Sequence, residues 1–195
     1  MKPKSQRLLD DTSKFLSYIL RHKPQDIGLQ LDAEGWADIS ELIAKAQKQR
    51  HQLTLALIEE VVKTNDKKRF SLSADGFRIR AVQGHSTAAV QLSLAPKEPP
   101  EWLYHGTATR FLASILAQGL LPGSRHHVHL SVDKKTAEAV GKRYGKPIVL
   151  HIPALQMHQQ GFVFGQAENG VWLTAKVPAS FIVQAGQGRP QAGNP

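Results

Sequence analysis

KKRFSLSADGFRIR, residues 67–80, is the stretch whose reading decides the fold of the first half of the chain. Apolar and polar residues alternate over residues 69–72 and again over 77–80, the period of strands with one buried face. Between them stands Ala74-Asp75-Gly76, a turn signal, so the stretch predicts a β-hairpin. Its entrance, Lys67-Lys68-Arg69, is basic. Toward the N-terminus, Thr54–Lys63 and Ser40–Gln49 read as helices with Thr54 and Ser40 as N-caps. Earlier still, Leu8, Leu9, Phe15, Leu16, Ile19 and Leu20 recur at helical spacing between Gln6 and His22, and Pro24 closes the segment. Helices followed by a basic hairpin predict a small winged-helix-like lobe over residues 1–85.

On the other side of the hairpin, residues 86–101 carry Pro96, Pro99 and Pro100 and read as an interdomain linker. A second lobe, 102–185, opens with a short strand at Leu103–His105 and a helix from Thr109 to Gln118 stopped by Gly119. Strands follow at Val128–Leu130 and Ile148–Ile152, with a helix from Asp133 to Lys142 between them. Further strands are expected around Phe162, at Val171–Lys176 and at Phe181–Val183. The class is therefore α+β, with a mainly β second lobe. Residues 186–195, rich in Gly, Gln and Pro, are expected to be disordered.

The 195 residues carry a net charge of +9, a positive potential that attracts polyanions such as RNA, DNA or dinucleotides. Residues 91–195 contribute ten Lys and Arg against five Asp and Glu, so the second half is short of acids rather than rich in bases. Without cysteine there is no disulfide, thiolate nucleophile or Cys-based zinc site. Neither a signal peptide nor an apolar run of spanning length is visible, and the expected location is the cytoplasm.

Three basic clusters recur on separate elements: Arg21-His22 at a helix end, Lys67-Lys68-Arg69 at the hairpin, and Lys142-Arg143 before a strand. Arginines from separate elements can converge on one phosphate through forked, charge-assisted hydrogen bonds, although a basic residue at a helix C-terminus also has a purely local benefit. His105-Gly106-Thr107 follows a strand, where a glycine admits a ligand to the backbone; a turn with a capping Thr reads equally well. In the run Arg125 to Ser131, alternation puts His127 and His129 on one face. Lacking a carboxylate partner, they point to polar ligand binding or solvated histidines rather than to a metal, and none is expected. There is no GxxxxGK[ST] loop and no GxGxxG after a strand, which argues against a P-loop ATPase or a Rossmann dehydrogenase.

Together the runs LSYILRHKP (16–24), GLQLDAEGWADISEL (28–42), KKRFSL (67–72), IRAVQGHS (79–86), LYHGT (103–107), HVHLS (127–131) and VGKRYGKPIVL (140–150) resemble the RNA 2′-phosphotransferase family, which includes the tRNA-splicing 2′-phosphotransferases. The resemblance spans residues 10–182 in order. It implies an N-terminal winged-helix RNA lobe and a C-terminal, β-rich lobe of the ADP-ribosyltransferase type that binds NAD⁺. The family's three arginines and one histidine fall on Arg21, His22, Arg69 and Arg143. Its NAD⁺ contacts map to His105, Gly106, Thr107, Ser114, Gly119, Leu120, Arg125, His127, His129 and Ser131. One position departs from the pattern, Val82, where family members carry Asn.

The resemblance implies a two-step reaction on tRNA-like, 2′-phosphorylated RNA. The phosphate attacks the nicotinamide ribose of NAD⁺, and the ribose 2″-hydroxyl then attacks phosphorus, giving 2′-OH RNA, nicotinamide and ADP-ribose 1″,2″-cyclic phosphate. An anionic nucleophile needs orientation more than a general base, which suits arginines in a lobe poor in acids. His22 either donates a proton to the departing 2′-oxygen or holds a phosphate. Neither a membrane nor an obligate protein partner is expected. Two other classes fit less of the sequence: a protein or nucleic-acid ADP-ribosyltransferase, for which Glu168 is the late glutamate, and a non-catalytic winged-helix nucleic-acid binder.

Overall fold

In the computed structural model, which describes residues 3–92 and 95–184, the chain divides into two compact units, Met1–Ser93 and Leu94–Pro195. The tail 186–195, expected to be disordered, lies outside the described residues.

The first unit opens with α1, Lys4–Arg21. Thr12, Leu16, Ile19 and Leu20 are its buried residues, one stripe at helical spacing. Pro24, lacking an N–H, begins a 3-10 turn over Pro24–Ile27 rather than extending the helix. Strand β1, Trp36–Asp38, leads into α2, Ile39–Lys48, and α3 spans Leu55–Thr64. The hairpin consists of β2, Phe70–Leu72, and β3, Arg78–Ala81. Its turn is closed by Asp75, whose carboxylate accepts from the Phe77 N–H at 3.0 Å and from the Ser73 hydroxyl at 2.5 Å. Strand β1, absent from the sequence reading, completes an antiparallel sheet in the order β1-β3-β2, with Trp36 opposite Arg80 and Phe70 opposite Ala81. Leu16, Leu20, Leu42, Ile58 and Ile79 are fully buried in the core.

Thr54 caps α3 as expected, accepting from the Leu57 N–H. The cap of α2 is a correction: Asp38, not Ser40, accepts from the Glu41 N–H at 2.8 Å. Both residue types cap helices, and it is the extended backbone at Asp38 (φ −67°, ψ 130°) that places its oxygen over the first turn. Asp38→Ala is therefore expected to cost about 1 kcal/mol of stability, and Ser40→Ala, on an exposed first-turn position, less than about 0.5 kcal/mol; urea unfolding of the full chain separates the two.

In the second unit β4, Leu103–Ala108, pairs antiparallel with β6, Pro147–Ile152, which pairs with β9, Val183–Gln184. A second sheet has the order β5-β8-β7, with β5 at Val128–Leu130, β7 at Phe164–Gln166 and β8 at Trp172–Thr174. The two sheets touch where Tyr104 and Ser131 exchange backbone hydrogen bonds, both 2.8 Å. Leu103, Leu130, Leu150, Ile152 and Phe164 form the core.

Several elements differ from the sequence reading. The helix expected from Thr109 is a 3-10 turn, Thr109–Phe111, followed by α4, Leu112–Gln118. The strand placed near Phe162 begins at Phe164. The strand expected at Phe181 starts at Val183, because Ala179–Phe181 closes a 3-10 turn with the Phe181 N–H on the Pro178 carbonyl. Helix α5, Lys134–Gly141, is capped by Asp133, while α6, Ala154–Gln159, was not foreseen.

In the stretch read as a linker, Val90 is fully buried and the Gln91 N–H donates to the Ala33 carbonyl in the first unit. Lys97 donates from its backbone to Phe164 in the second. Among the described residues no helix is long and apolar enough to cross a membrane.

Candidate active site

In the first unit α1, the end of α3 and the turn before β2 enclose a cleft of about 570 Å³. Three of the four tetrad positions line it: Arg21, His22 and Arg69. Arg21 and His22 end α1, where cations face the negative end of the helix dipole. The Asn65–Lys68 turn, closed by the Lys68 N–H on the Asn65 carbonyl at 2.8 Å, carries Lys67 and Arg69 to the same cleft. Lys68 adopts a left-handed backbone conformation, φ 41°, which costs a side-chain-bearing residue about 1 kcal/mol.

Each member is held by a neighbour. The Asn65 side-chain oxygen accepts from Arg69 Nη1 at 3.5 Å, and its amide donates to the Ser13 hydroxyl at 3.1 Å. His22 Nδ1 lies 2.9 Å from the Ser86 hydroxyl, while the Ser86 N–H donates to the Arg21 carbonyl at 2.9 Å. The turn before Ser86 favours Gly84, whose φ of +88° penalises a residue with a side chain and whose Cβ position would lie 3.7 Å from the Arg21 side chain. Arg21 Nε and Nη2 are buried. At Val82, the departure from the family pattern, the side chain is buried and the backbone N–H donates to the Arg69 carbonyl at 3.0 Å.

The sequence reading did not single out Gln6, Asp10, Ser13, Ser17 and Tyr18, which also line the cleft. Their signal was present: polar residues recur at positions 6, 10, 13, 17 and 21, one face of α1. The Tyr18 hydroxyl donates to Asp26 at 2.5 Å, and that bond holds the phenol above its ordinary pKa.

Arg143 belongs to the second unit, exposed in the 3-10 turn Lys142–Tyr144 between α5 and β6. The second unit also holds the residues mapped to NAD⁺. His105 on β4 donates from Nδ1 to the His129 carbonyl at 3.0 Å. A carbonyl can only accept, so the proton sits on Nδ1 and Nε2 carries a lone pair. Burial pushes the His105 pKa down; the bond to His129 opposes this, and the charge of Arg125 lowers it further. His127 is likewise lowered, by burial and then by His126. Ser131 bridges to β4 at Tyr104, His129 accepts from His105 and the charge of Arg125 acts on His105, so these four residues gather about the junction of the two sheets, while Thr107 is buried further along β4 opposite Ile148. Ser114 is exposed on α4. Among the described residues, no group of three or more His, Cys, Asp or Glu is arranged to hold a metal. Glu168 is exposed in the turn between β7 and β8.

The two mapped glycines also lie close against backbone. A Cβ at Gly106 would lie 1.6 Å from the Ala137 carbonyl of α5, so the space its bare Cα opens is filled by helix. Gly119 stands against the Val177 carbonyl, and Leu120 exchanges backbone hydrogen bonds with Val177.

The depressed pKa of His105 has a consequence for stability. Above its ordinary value of 6.5 both folded and unfolded states are neutral. As pH falls below that value the unfolded chain takes up a proton that the folded chain refuses, so stability is lost until the folded pKa is reached. The urea midpoint should fall between about pH 7.5 and about pH 5.5, and His105→Asn should flatten that fall; an unchanged slope would mean His105 is not the buried neutral group.

The model of the "RNA 2'-phosphotransferase, Tpt1 / KptA family" matches residues 7–176. Curated relatives include a "Probable RNA 2'-phosphotransferase" of Pseudomonas fluorescens, 64% identical over 178 residues, covering 91% of this chain and 98% of the relative. One from Pectobacterium carotovorum is 63% identical, covering 88% of this chain and 92% of the relative. A third, from Escherichia coli, is 58% identical, covering 91% and 92%.

Proposed function

As this chain belongs to the RNA 2′-phosphotransferase family, we propose that it is an enzyme that removes an internal 2′-phosphate from RNA with NAD⁺ as co-substrate. The observation that carries the reading is the cleft of the first unit, where Arg21, His22, Arg69 and Lys67 line one concave surface. Guanidinium forks are the side chains best matched to phosphate oxygens, and the burial of Arg21 Nε and Nη2 strengthens their field by limiting water. On this reading the first unit is the winged-helix RNA lobe and the second the ADP-ribosyltransferase-like lobe.

The second unit's residues fit NAD⁺. A neutral His105 with its Nε2 lone pair available accepts from a ribose hydroxyl or a carboxamide, and Thr107, Arg125, His129 and Ser131 would hold the rest of the dinucleotide. Bound there, NAD⁺ supplies an electrophilic ribose carbon with nicotinamide as leaving group, and a neighbouring 2″-hydroxyl. Arg21 and Arg69 orient the RNA 2′-phosphate and offset the charge that builds on its oxygens, and the family resemblance assigns Arg143 to the same step. Ser86 engages His22 Nδ1 and fixes the ring, and His22 gives a proton to the departing RNA 2′-oxygen. The products on this reading are 2′-OH RNA, nicotinamide and ADP-ribose 1″,2″-cyclic phosphate.

Incubating the full chain with a short 2′-phosphorylated RNA tests the proposal. Phosphate should be lost only when NAD⁺ is present, with nicotinamide released in equal amount. Loss without NAD⁺ would overturn the cofactor, and no loss in its presence would overturn the activity.

A further inference from the structure

The cleft of the first unit is much larger than the group it is proposed to clamp. Its volume of about 570 Å³ is in the range of sites that enclose whole ligands, whereas a phosphate is far smaller. Beyond the basic residues, the lining includes one aromatic side chain, Tyr18. It sits one turn before Arg21 and His22 on α1, and its carbonyl accepts from the His22 N–H at 3.0 Å.

Tyr18 takes no part in the hydrophobic core and remains 46% exposed. Its hydroxyl is nevertheless tethered to Asp26 at 2.5 Å, which fixes the ring at its far end. An exposed ring held in one orientation loses little further entropy when a flat partner lies on it. Every nucleobase offers such a face, and stacking of this kind is indifferent to sequence. The adjoining Arg21, Lys14 and Lys67 attract the backbone of the same strand.

We propose that Tyr18 is a stacking platform for a nucleobase of the RNA strand that carries the 2′-phosphate. The proposal rests on reading the cleft as the RNA 2′-phosphate site. The cleft would then hold the phosphate by charge and its strand by a ring face, which admits any sequence while disfavouring small phosphomonoesters that bring no base.

The experiment uses short, fluorescently labelled 2′-phosphorylated RNAs from which the base is removed at the phosphorylated nucleotide or at either neighbour in turn. Binding to the full chain is measured by anisotropy without NAD⁺, and phosphate removal is measured separately with it. Wild-type protein should lose roughly tenfold or more in affinity when one of the three bases is missing. Tyr18→Ala should bind the intact RNA more weakly by the same factor and be indifferent to loss of that base. Tyr18→Phe, which keeps the ring and loses the tether, should keep the dependence on that base and bind with an affinity between those of wild type and Tyr18→Ala. In turnover the alanine variant should raise KM by a similar factor and leave kcat within about twofold, because a base stacked before and during the reaction is uniform binding. Equal binding by wild type and Tyr18→Ala, or a base penalty undiminished in Tyr18→Ala, would overturn the platform. Wild-type protein that shows the base dependence but removes no phosphate would overturn the proposed reaction and leave the platform standing.

Discussion

Replacing Arg21, Arg69 or Arg143 by alanine is expected to lower 2′-phosphate removal by about a hundredfold or more, the loss that follows deletion of one donor to developing charge. The substrate phosphate is already anionic and needs no base to activate it, so charge compensation and orientation are the contributions left to the protein. Arg21 should be the most sensitive. Its Nε and Nη2 are buried and its Cδ, Cζ and Nη1 face Gly84, a placement of a planar group that a lysine cannot reproduce, so Arg21→Lys should not rescue activity. The Arg143→Ala variant, at an exposed position, should unfold within about 0.5 kcal/mol of wild type, the ordinary range for surface changes. Single-turnover rates with saturating RNA and NAD⁺ report the chemical step, and a variant that reacts at the wild-type rate would remove that arginine from the clamp.

Arg21 and Arg69 also mark where the sequence stops being legible. That α1 exists follows from the spacing of Leu16, Ile19 and Leu20, and the hairpin from alternation about Asp75-Gly76, both local signals. That the two arginines share a cleft depends on α1 and the Asn65–Lys68 turn meeting in space, which local periodicity does not encode; recurring basic clusters raised their convergence, and the family resemblance assigned them to one site. Ser13 and Asn65 are bonded for the same non-local reason, as are His22 and Ser86. Strand β1 escaped because three residues, Trp-Ala-Asp, show no alternation, and α6 because Pro153 reads as a breaker although proline is tolerated before a first helical turn. At α2 the sequence reading put the cap at Ser40, and the extended backbone of Asp38 places it two positions earlier.

Gly106, assigned to NAD⁺ by the family resemblance, also lies against the backbone of α5, and its substitution should have the largest effect on stability. Gly106→Ala is expected to destabilise the chain by about 3 kcal/mol or more, the upper range for overpacking. The added Cβ would lie 1.6 Å from the Ala137 oxygen and 2.3 Å from its carbonyl carbon, both backbone atoms with no rotamer to yield. Relief requires moving α5 off β4 or breaking the register that β4 keeps with β6 from Leu103↔Ile152 to Ala108↔Pro147. The same helix is fixed one turn later, where a Cβ on Gly141 would come 2.5 Å from the Thr107 carbonyl, so Gly141→Ala should be damaging too. Gly161→Ala serves as the control, for nothing lies within 4 Å of its Cβ position and only the left-handed φ of +90° penalises it; that costs about 1 to 2 kcal/mol. Urea unfolding of the three variants should rank Gly106→Ala as the least stable, and a Gly106→Ala midpoint equal to wild type would mean α5 does not lie on β4 as described. Because His105 and Thr107 flank the glycine, NAD⁺ binding should fall in step with stability. A variant that kept its wild-type midpoint yet lost NAD⁺ would instead point to a direct ligand contact at Gly106.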